Sequence, residues 1–283
     1  MESAIHKEQK GRCIRLISAG VLGSPISHSL SPLLHNAAYK FLGVDASYSA
    51  FEVQSGNLQS FLDADGSALN CLSLTMPLKE EAMSIATSIS DISRKIQSGN
   101  TLHKVGGLWN LTSTDVEGFS QALRFNERDA TGNVLILGAG ATARAVVAAC
   151  NGISETITVV NRNPKRDAAM RQAAPNLTMD FIAWDAEINF DQFDLVVNTT
   201  PGDSATQFVD KIDSARGTFF EVLYNPWPTQ LLTHWRLAGG FAIDGLDLLI
   251  HQAISQVEIF TSLTVERDQL AKILRKVGEQ ALS

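Results

Sequence analysis

Residues 133–150 read Asn133-Val134-Leu135-Ile136-Leu137-Gly138-Ala139-Gly140-Ala141-Thr142-Ala143-Arg144-Ala145-Val146-Val147-Ala148-Ala149-Cys150. Val134 to Leu137 is a short apolar run rich in branched side chains, the pattern of a strand buried on both faces. Gly138-Ala139-Gly140 interrupts it, and the alanine-rich run from Ala141 to Ala149 has high helix propensity. Strand, glycine turn and small-residue helix form the layout in which backbone N–H groups and a helix N-terminus meet a pyrophosphate. Gly138 permits the tight turn, and Gly140 lets the backbone approach the phosphate. Ordinary βα turns also carry Gly-x-Gly, and Ala141 stands where many dinucleotide sites have a further glycine, so the next strand decides.

That strand is Thr156 to Val160, again β-branched and apolar, and it ends in Asn161-Arg162-Asn163-Pro164-Lys165-Arg166. A site for NAD places Asp or Glu about 20 residues past the glycines, where it accepts from the ribose 2′-OH. Here the place holds Asn161, followed by Arg162, Lys165 and Arg166. Cations there suit a 2′-phosphate, so the expected cofactor is NADP rather than NAD. The alternative is a solvated helix start, but like charges at a helix N-terminus oppose the dipole unless an anion sits there.

A chain of 283 residues exceeds one average domain and predicts two. Its 45% hydrophobic content and mixed charges are those of a globular protein. The net charge of −7, with no basic run longer than Arg162 to Arg166, argues against a nucleic-acid partner. No apolar run approaches a membrane span and Met1-Glu2-Ser3 does not read as a signal peptide, so a cytoplasmic protein is expected. Cys13, Cys71 and Cys150 are scattered, fit reduced thiols and predict no metal site. Cys71 and Cys150 lie in apolar runs and read as small core residues.

In chain order, Met1 to Arg12 is polar and expected to be loose. Arg15 to Val21 predicts a first strand, followed by Ser27-His28-Ser29-Leu30-Ser31-Pro32. Ser31 before Pro32 predicts a helix start with Ser31 as N-cap, running to Leu42 and stopping at Gly43. Capping accounts for Ser31 and Ser29 without a ligand. Equally, hydroxyls crowded beside a helix N-terminus make a carboxylate site. Strands are expected at 46–53 and 70–75, a helix at 57–62, and a helix from Glu80 to Thr87 opened by Lys79. Most lysines extend to solvent, but Lys79 follows an apolar strand end and a proline, where active-site groups of α/β folds gather. Gly106-Gly107 predicts a hairpin leading to Leu108–Thr112, and a helix runs from Val116 to Leu123. Asp115 can be only a first-turn carboxylate, and Asn100 only a turn residue. Further strands are predicted at 179–184, 193–198, 218–223 and 241–244, with helices at 230–237, 246–261 and 265–277. Thr199-Thr200-Pro201-Gly202 forms a second loop at the carboxyl edge, where cofactor should lie.

Taken together, the polar turns resemble the shikimate dehydrogenase family over about Val21 to Thr261. The matching stretches are Gly23-Ser24-Pro25-Ile26-Ser27-His28-Ser29-Leu30-Ser31-Pro32, Thr75-Met76-Pro77-Leu78-Lys79 and Gly99-Asn100-Thr101. Thr114-Asp115 with Gly118, the glycine turn, and Asn161-Arg162 with Arg166 follow. Tyr224-Asn225-Pro226-Trp227-Pro228-Thr229 and Leu249-Ile250-His251-Gln252-Ala253 complete the order, and these last two look most like actinobacterial members.

The resemblance implies NADP-linked, reversible reduction of 3-dehydroshikimate to shikimate, on the route to the aromatic amino acids. It implies that Ser29 and Ser31 hold the substrate carboxylate with Tyr224 assisting, and that Thr75, Asn100 and Gln252 bind ring hydroxyls. Lys79 would supply the proton as the carbonyl becomes an alcohol, with Asp115 beside it. Gly138, Ala139, Gly140, Ala141 and Thr142, with Asn161, Arg162 and Arg166, would hold the cofactor. Val222 and Gly245 would lie near the nicotinamide, and Asp91 is a weaker carry-over toward the cofactor. The residue types suit the reaction: hydride arriving at a carbonyl leaves an alkoxide, which needs a cation or acid within hydrogen-bond reach.

The implied fold is α/β in two domains: a substrate-binding α/β domain of residues 1–118, completed by helices in 246–283, and a Rossmann-type NADP-binding domain of 119–245. The first sheet is expected to be mostly parallel. The small-molecule enzyme is expected to be a monomer or homodimer. Three departures stand out: Ser73 and Ser113 occupy positions where the family commonly has Asn, and Leu248 one that is often Met. Serine lacks an amide's double donor and acceptor capacity, which leaves quinate or dual specificity on the same fold as an alternative. A non-catalytic, ligand-binding paralogue is the more distant one.

Overall fold

Two six-stranded sheets follow one another along the chain. The structure is a computed structural model that describes residues 17–283. The expected loose start at 1–12, Cys13, and the beginning of the strand predicted from Arg15 lie outside the described residues.

The first sheet is built from β1 (Ile17–Gly23), α1 (Ser31–Leu42), β2 (Ala46–Glu52), α2 (Leu58–Asp63), β3 (Cys71–Leu74), α3 (Leu78–Glu81), β4 (Ser88–Ile89), α4 (Asp91–Ile96), β5 (Thr101–Val105) and β6 (Leu108–Thr112). After α5 (Asp115–Phe125), the second sheet takes β7 (Gly132–Leu137), α6 (Ala141–Cys150), β8 (Ser154–Asn161), α7 (Asp167–Ala173), β9 (Thr178–Ala183), β10 (Leu195–Asn198), β11 (Thr218–Glu221), α8 (Gln230–Leu237) and β12 (Phe241–Ile243). The chain then closes with α9 (Gly245–Thr261) and α10 (Arg267–Leu282).

Side chains alternate between the faces of each strand, and each sheet is covered on both sides. Val21 belongs to the buried cluster that holds Leu34 of α1, Ile254 of α9 and Leu274 of α10, whereas the neighbouring Leu22 belongs to the cluster of Leu58 and Leu78 on the other face. In β7, Val134 and Ile136 pack toward Phe119 of α5 and Val146 of α6. Leu135 and Leu137 face Phe208, Leu232 and Trp235. Such fully buried aliphatic side chains contribute about 2 kcal/mol each. Cys71 and Cys150 are buried in these cores, and desolvation pushes the Cys150 thiol up to about 11.

The second sheet is wholly parallel, in the order β12-β11-β10-β7-β8-β9. Its direction of winding reverses between β7 and β10. The first sheet has the order β2-β1-β3-β5-β6-β4 and reverses between β1 and β3. Crevices outside the carboxyl ends of strands at such reversals are where ligands bind.

As expected, the first sheet is mostly parallel: β1 pairs in parallel with β2 and β3, and β4 with β6, while β5 runs antiparallel to β3 and, across the Gly106-Gly107 hairpin, to β6. The structure departs from the sequence-based expectations in three places. The helix expected over Glu80–Thr87 stops at Glu81, passes through one 3₁₀ turn at Ala82–Ser84, and gives way to β4. There, backbone bonds to β6 win: Thr87 N donates to Trp109 O at 2.9 Å and Ser90 N to Leu111 O at 2.9 Å. The unanticipated α4 follows, capped by Ser90, whose Oγ accepts from Ser93 N at 3.3 Å. Finally, Ser31 is not a cap. The helix begins at Ser31 itself, Leu30 is the N-cap, and no side chain caps it. Among the described residues no helix is long and apolar enough to cross a membrane.

Candidate active site

A cleft of about 890 Å³ runs between the carboxyl edges of the two sheets. Every expected site residue except Asp91 lines it. Asp91 begins α4, is exposed, and does not face the cleft.

On the first sheet's side, Thr75 and Lys79 follow β3, and Ser29 and Ser31 follow β1. Lys79 Nζ donates to Asp115 Oδ2 at 2.6 Å, and both side chains are largely buried, at 16% and 8% exposure. Asp115 is the first residue of α5, so the helix dipole favours its charge. Its other oxygen accepts from Asn100 Nδ2 at 2.8 Å. The same Nδ2 lies 3.0 Å from Thr114 Oγ1 and 3.2 Å from Gln252 Oε1. Asn100 Oδ1 accepts from Thr114 N at 2.8 Å and Thr101 Oγ1 at 2.7 Å. Asn100 thereby joins three elements: the loop before β5, the start of α5, and α9.

Gln252 reaches this point because α5 and α9 touch closely at Gly118. A Cβ there would fall 2.8 Å from both Gln252 Cβ and its backbone N, inside any normal contact. The Gly118 of the sequence motif thus sets where Gln252 sits. One turn further along α9, Gln256 faces the same way. Its Nε2 donates to Asn100 O at 3.1 Å and Thr101 Oγ1 at 3.0 Å. Its Oε1 accepts from Ser73 Oγ at 2.7 Å and meets His35 Nε2 at 3.2 Å. Ser73 Oγ accepts from Tyr48 OH, and Tyr48 stacks on His35 with ring centroids 4.0 Å apart. The buried row Tyr48, Ser73, Gln256 and His35 forms the floor beneath the cleft; desolvation lowers His35 to about 3, so it is neutral. Sequence reasoning found only Ser73 of this row.

Near the start of α1, the Tyr224 phenol meets the Ser29 side chain and the Leu30 backbone, and burial raises its pKa. Ser29 Oγ accepts from Ser31 N at 3.3 Å. Ser29 thus meets the first N–H of α1 from outside the helix, whereas Ser31, the helix's first residue, caps nothing.

On the second sheet's side, Gly138 has φ +104°, and a Cβ there would fall 2.7 Å from Thr199 Oγ1 across the reversal between β7 and β10. Only glycine fits. Gly140 is different: a Cβ on it would meet nothing nearer than Arg166 Nη1 at 3.7 Å, so the space over the turn is open. That opening, at the N-terminus of α6, could hold an anionic group. Ala141 and Thr142 follow as its first two helical residues. Arg162 and Arg166 are exposed beside it, Arg162 lying 5.5 Å from the centre of the Trp184 ring, and Arg166 Nη1 donating to Ala139 O at 3.3 Å. Asn161 is turned to the loop itself: its Nδ2 donates to Asp167 Oδ1 at 2.8 Å, and its Oδ1 accepts from Asn163 N at 2.6 Å. Cations without a facing carboxylate suit a 2′-phosphate.

Glu221, which sequence reasoning missed, organises the remaining wall. Fully buried at the end of β11, its carboxyl accepts from Asn198 Nδ2, Leu223 N at 3.1 Å and Thr229 Oγ1 at 2.9 Å, and burial raises its pKa. Asn198 Oδ1 in turn accepts from Thr200 N and Oγ1. One acid therefore ties the Thr199–Pro201 loop to the loop carrying Val222 and Tyr224. Gly245 starts α9 against that loop, and Leu248 lines the cleft one turn later.

Comparisons with known proteins show which family the chain belongs to. Residues 21–102 match the family model described as shikimate dehydrogenase substrate binding domain. A shikimate dehydrogenase (NADP(+)) of Leptospira interrogans is 32% identical, over 92% of this chain and 94% of its own. The crystal structure of Mycobacterium tuberculosis shikimate dehydrogenase superposes with a TM-score of 0.83 at 34% identity, covering 92% of this chain and 99% of that one. The Thermus thermophilus shikimate 5-dehydrogenase, solved with NADP(H) and shikimate, gives 0.77 at 26% identity, covering 93% and 100%. With a relative above 30% identity matched along nearly its whole length, the chain belongs to the shikimate dehydrogenase family.

Proposed function

We propose that this chain catalyses the NADP-dependent, reversible reduction of 3-dehydroshikimate to shikimate, as a cytoplasmic enzyme of aromatic amino-acid biosynthesis. The observation that carries it is the Lys79–Asp115 pair, 2.6 Å apart, in the same cleft as the Gly138–Gly140 turn. Residues 1–118 with 246–283 serve as the substrate domain and 119–245 as the cofactor domain. The protein is proposed to act as a monomer or homodimer.

In this reading Ser29, Ser31 and Tyr224 hold the substrate carboxylate at one end of the cleft. Thr75, Asn100 and Gln252 take ring hydroxyls and fix the carbonyl near Lys79. Gly138 to Thr142 hold the pyrophosphate, Arg162 and Arg166 the 2′-phosphate, and Val222 and Gly245 border the nicotinamide. NADPH, when bound, supplies the hydride, and NADP accepts it in the reverse direction.

As the carbonyl carbon gains hydride, its oxygen gains charge, and the Lys79 ammonium both stabilises that charge and donates a proton to it. Asp115 keeps the ammonium aimed, since a lysine stem has many rotamers and would otherwise spread over them. Asn100 holds Asp115 in turn. In the reverse reaction, neutral Lys79 removes the alcohol proton.

Initial rates with NADP and with NAD, each against shikimate and quinate, test this. The highest kcat/KM is expected for NADP with shikimate. Cofactor binding without turnover of either acid would overturn it and leave a ligand-binding paralogue; equal or better turnover of quinate would make it a dual-specificity enzyme.

A further inference from the structure

Arg144 is a buried guanidinium that this chemistry leaves unused. It stands in the second turn of α6, just past the glycine turn, and is 4% exposed. Its Nε donates to Ile96 O at 2.6 Å, and its Nη2 to Glu80 Oε1 at 2.6 Å and Gln97 O at 3.3 Å. All three acceptors belong to the connections of the first sheet.

Their positions in the chain are informative. Glu80 immediately follows Lys79, and Gln97 lies three residues before Asn100. Gly99 N donates to the Lys79 carbonyl at 2.9 Å, which ties the two segments to each other. An arginine at the C-terminus of α4 satisfies that helix's last carbonyls and its dipole, which accounts for Ile96 and Gln97. It does not account for Glu80, whose carboxylate is 57% exposed and can be solvated by water. The bond to Glu80 adds a link from the cofactor helix to the lysine's own segment.

We infer that Arg144 is a positioning residue that sets the register of the cofactor-holding helix against the two segments carrying Lys79 and Asn100. For its kinetic consequences the inference rests on the dehydrogenase reading above. Hydride and proton reach one carbonyl from opposite walls of the cleft. An error of an ångström between those walls costs rate without abolishing binding of either ligand. The guanidinium suits this role because its planar fork reaches several acceptors at once, which a lysine ammonium on a flexible stem does not reproduce.

Arg144→Met, Arg144→Lys and Glu80→Gln test it, the last altering an exposed carboxylate that the core does not need. In Arg144→Met, kcat with shikimate is expected to fall about 10- to 100-fold. The KM of each ligand should change by less than about threefold. The primary deuterium isotope effect on kcat should rise, because hydride transfer becomes more limiting. Glu80→Gln should give a smaller loss of the same kind, and Arg144→Lys should recover part of it. A second readout needs no turnover: NADP alone should slow amide exchange in 78–81 and 97–100 of the parent but not of Arg144→Met. The glycine turn at 138–142 should be protected in both. Parental kcat and isotope effect in Arg144→Met and Glu80→Gln, or unchanged exchange coupling in Arg144→Met, would overturn the inference. A parent inactive on shikimate would sink the dehydrogenase reading instead and leave the exchange comparison to decide Arg144.

Discussion

Replacing Lys79 with methionine separates two things the lysine does. Methionine keeps much of the stem's volume and removes the ammonium. The missing proton donor should lower kcat by about 10²- to 10⁴-fold. Asp115, only 8% exposed, loses its partner at 2.6 Å but keeps the Asn100 bond at 2.8 Å and the favourable end of α5. Leaving a buried charge without its partner costs about 3–5 kcal/mol, and those two surviving interactions bring the expectation down to about 2 kcal/mol. Adding Asp115→Asn to Lys79→Met removes the orphaned charge, so stability should return while activity stays low. Initial rates of NADPH formation report the first effect, and urea midpoints of the parent, single and double variants report the second. An unchanged kcat in Lys79→Met refutes its place in the chemistry. A double variant no more stable than the single one refutes the claim that Asp115 depends on the ammonium.

Cofactor choice should rest on two exposed cations: Arg162→Ala with Arg166→Ala is expected to raise the KM for NADP by about 10- to 100-fold, as loss of charge-assisted bonds to a phosphate would, and to leave the KM for NAD nearly unchanged. Equal effects on both cofactors would reassign these residues. Stability should fall with acidification partly through His35. Its folded pKa is depressed to about 3 by burial, so below about 6.5 the unfolded chain takes up a proton that the folded one refuses. Between those values the group contributes a loss of up to about 1.4 kcal/mol per pH unit. His35→Gln should remove that share, making urea-derived stability less steep from pH 6.5 downward; an unaltered slope would show that the fold protonates His35 freely.

The sequence made most of the framework legible because its elements carry their own punctuation. The β7 turn and α6 are marked by Gly138, Gly140 and an alanine run; α8 is set off by Thr229, whose Oγ accepts from Leu232 N at 3.2 Å. What failed was short or depended on distant partners. The two residues of β4 have no periodicity of their own and exist because β6 offers them a ladder. Ser31 carried the preferred chemistry of a cap, yet the preceding backbone turned one residue earlier. The cleft-lining residues were readable because they sit in dense polar turns at strand ends. Their supports were not. Arg144 lies in a helix made otherwise of alanine and valine with one threonine and one cysteine, and Glu221 reads as one more strand-end carboxylate. Gln256 meets Ser73 across 183 residues of chain.

Those hidden supports bear on what Asn100 can do. Its amide has two hydrogens, yet three acceptors lie within 3.2 Å of Nδ2: Thr114 Oγ1, Asp115 Oδ1 and Gln252 Oε1. The group is over-subscribed, and its longest contact is the one to Gln252. Gln252 Nε2 meanwhile donates to Leu249 O at 2.8 Å, and the shorter bond from Asn100 to Asp115 holds that carboxylate beside Lys79. Ser73 and Ser113 matter less by comparison. Ser73 gives its one hydrogen to Gln256 and offers the cleft only an acceptor, and Ser113 Oγ merely accepts from Asp115 N at 3.4 Å. The amides at 100 and 252 share one internal bond that is longer than the bond from Asn100 to Asp115. If these amides take ring hydroxyls as proposed, losing the longer bond leaves the Asp115–Lys79 pair in place. Gln252→Ala is therefore expected to raise the KM for shikimate more than it lowers kcat, and the reverse pattern in initial rates would refute this.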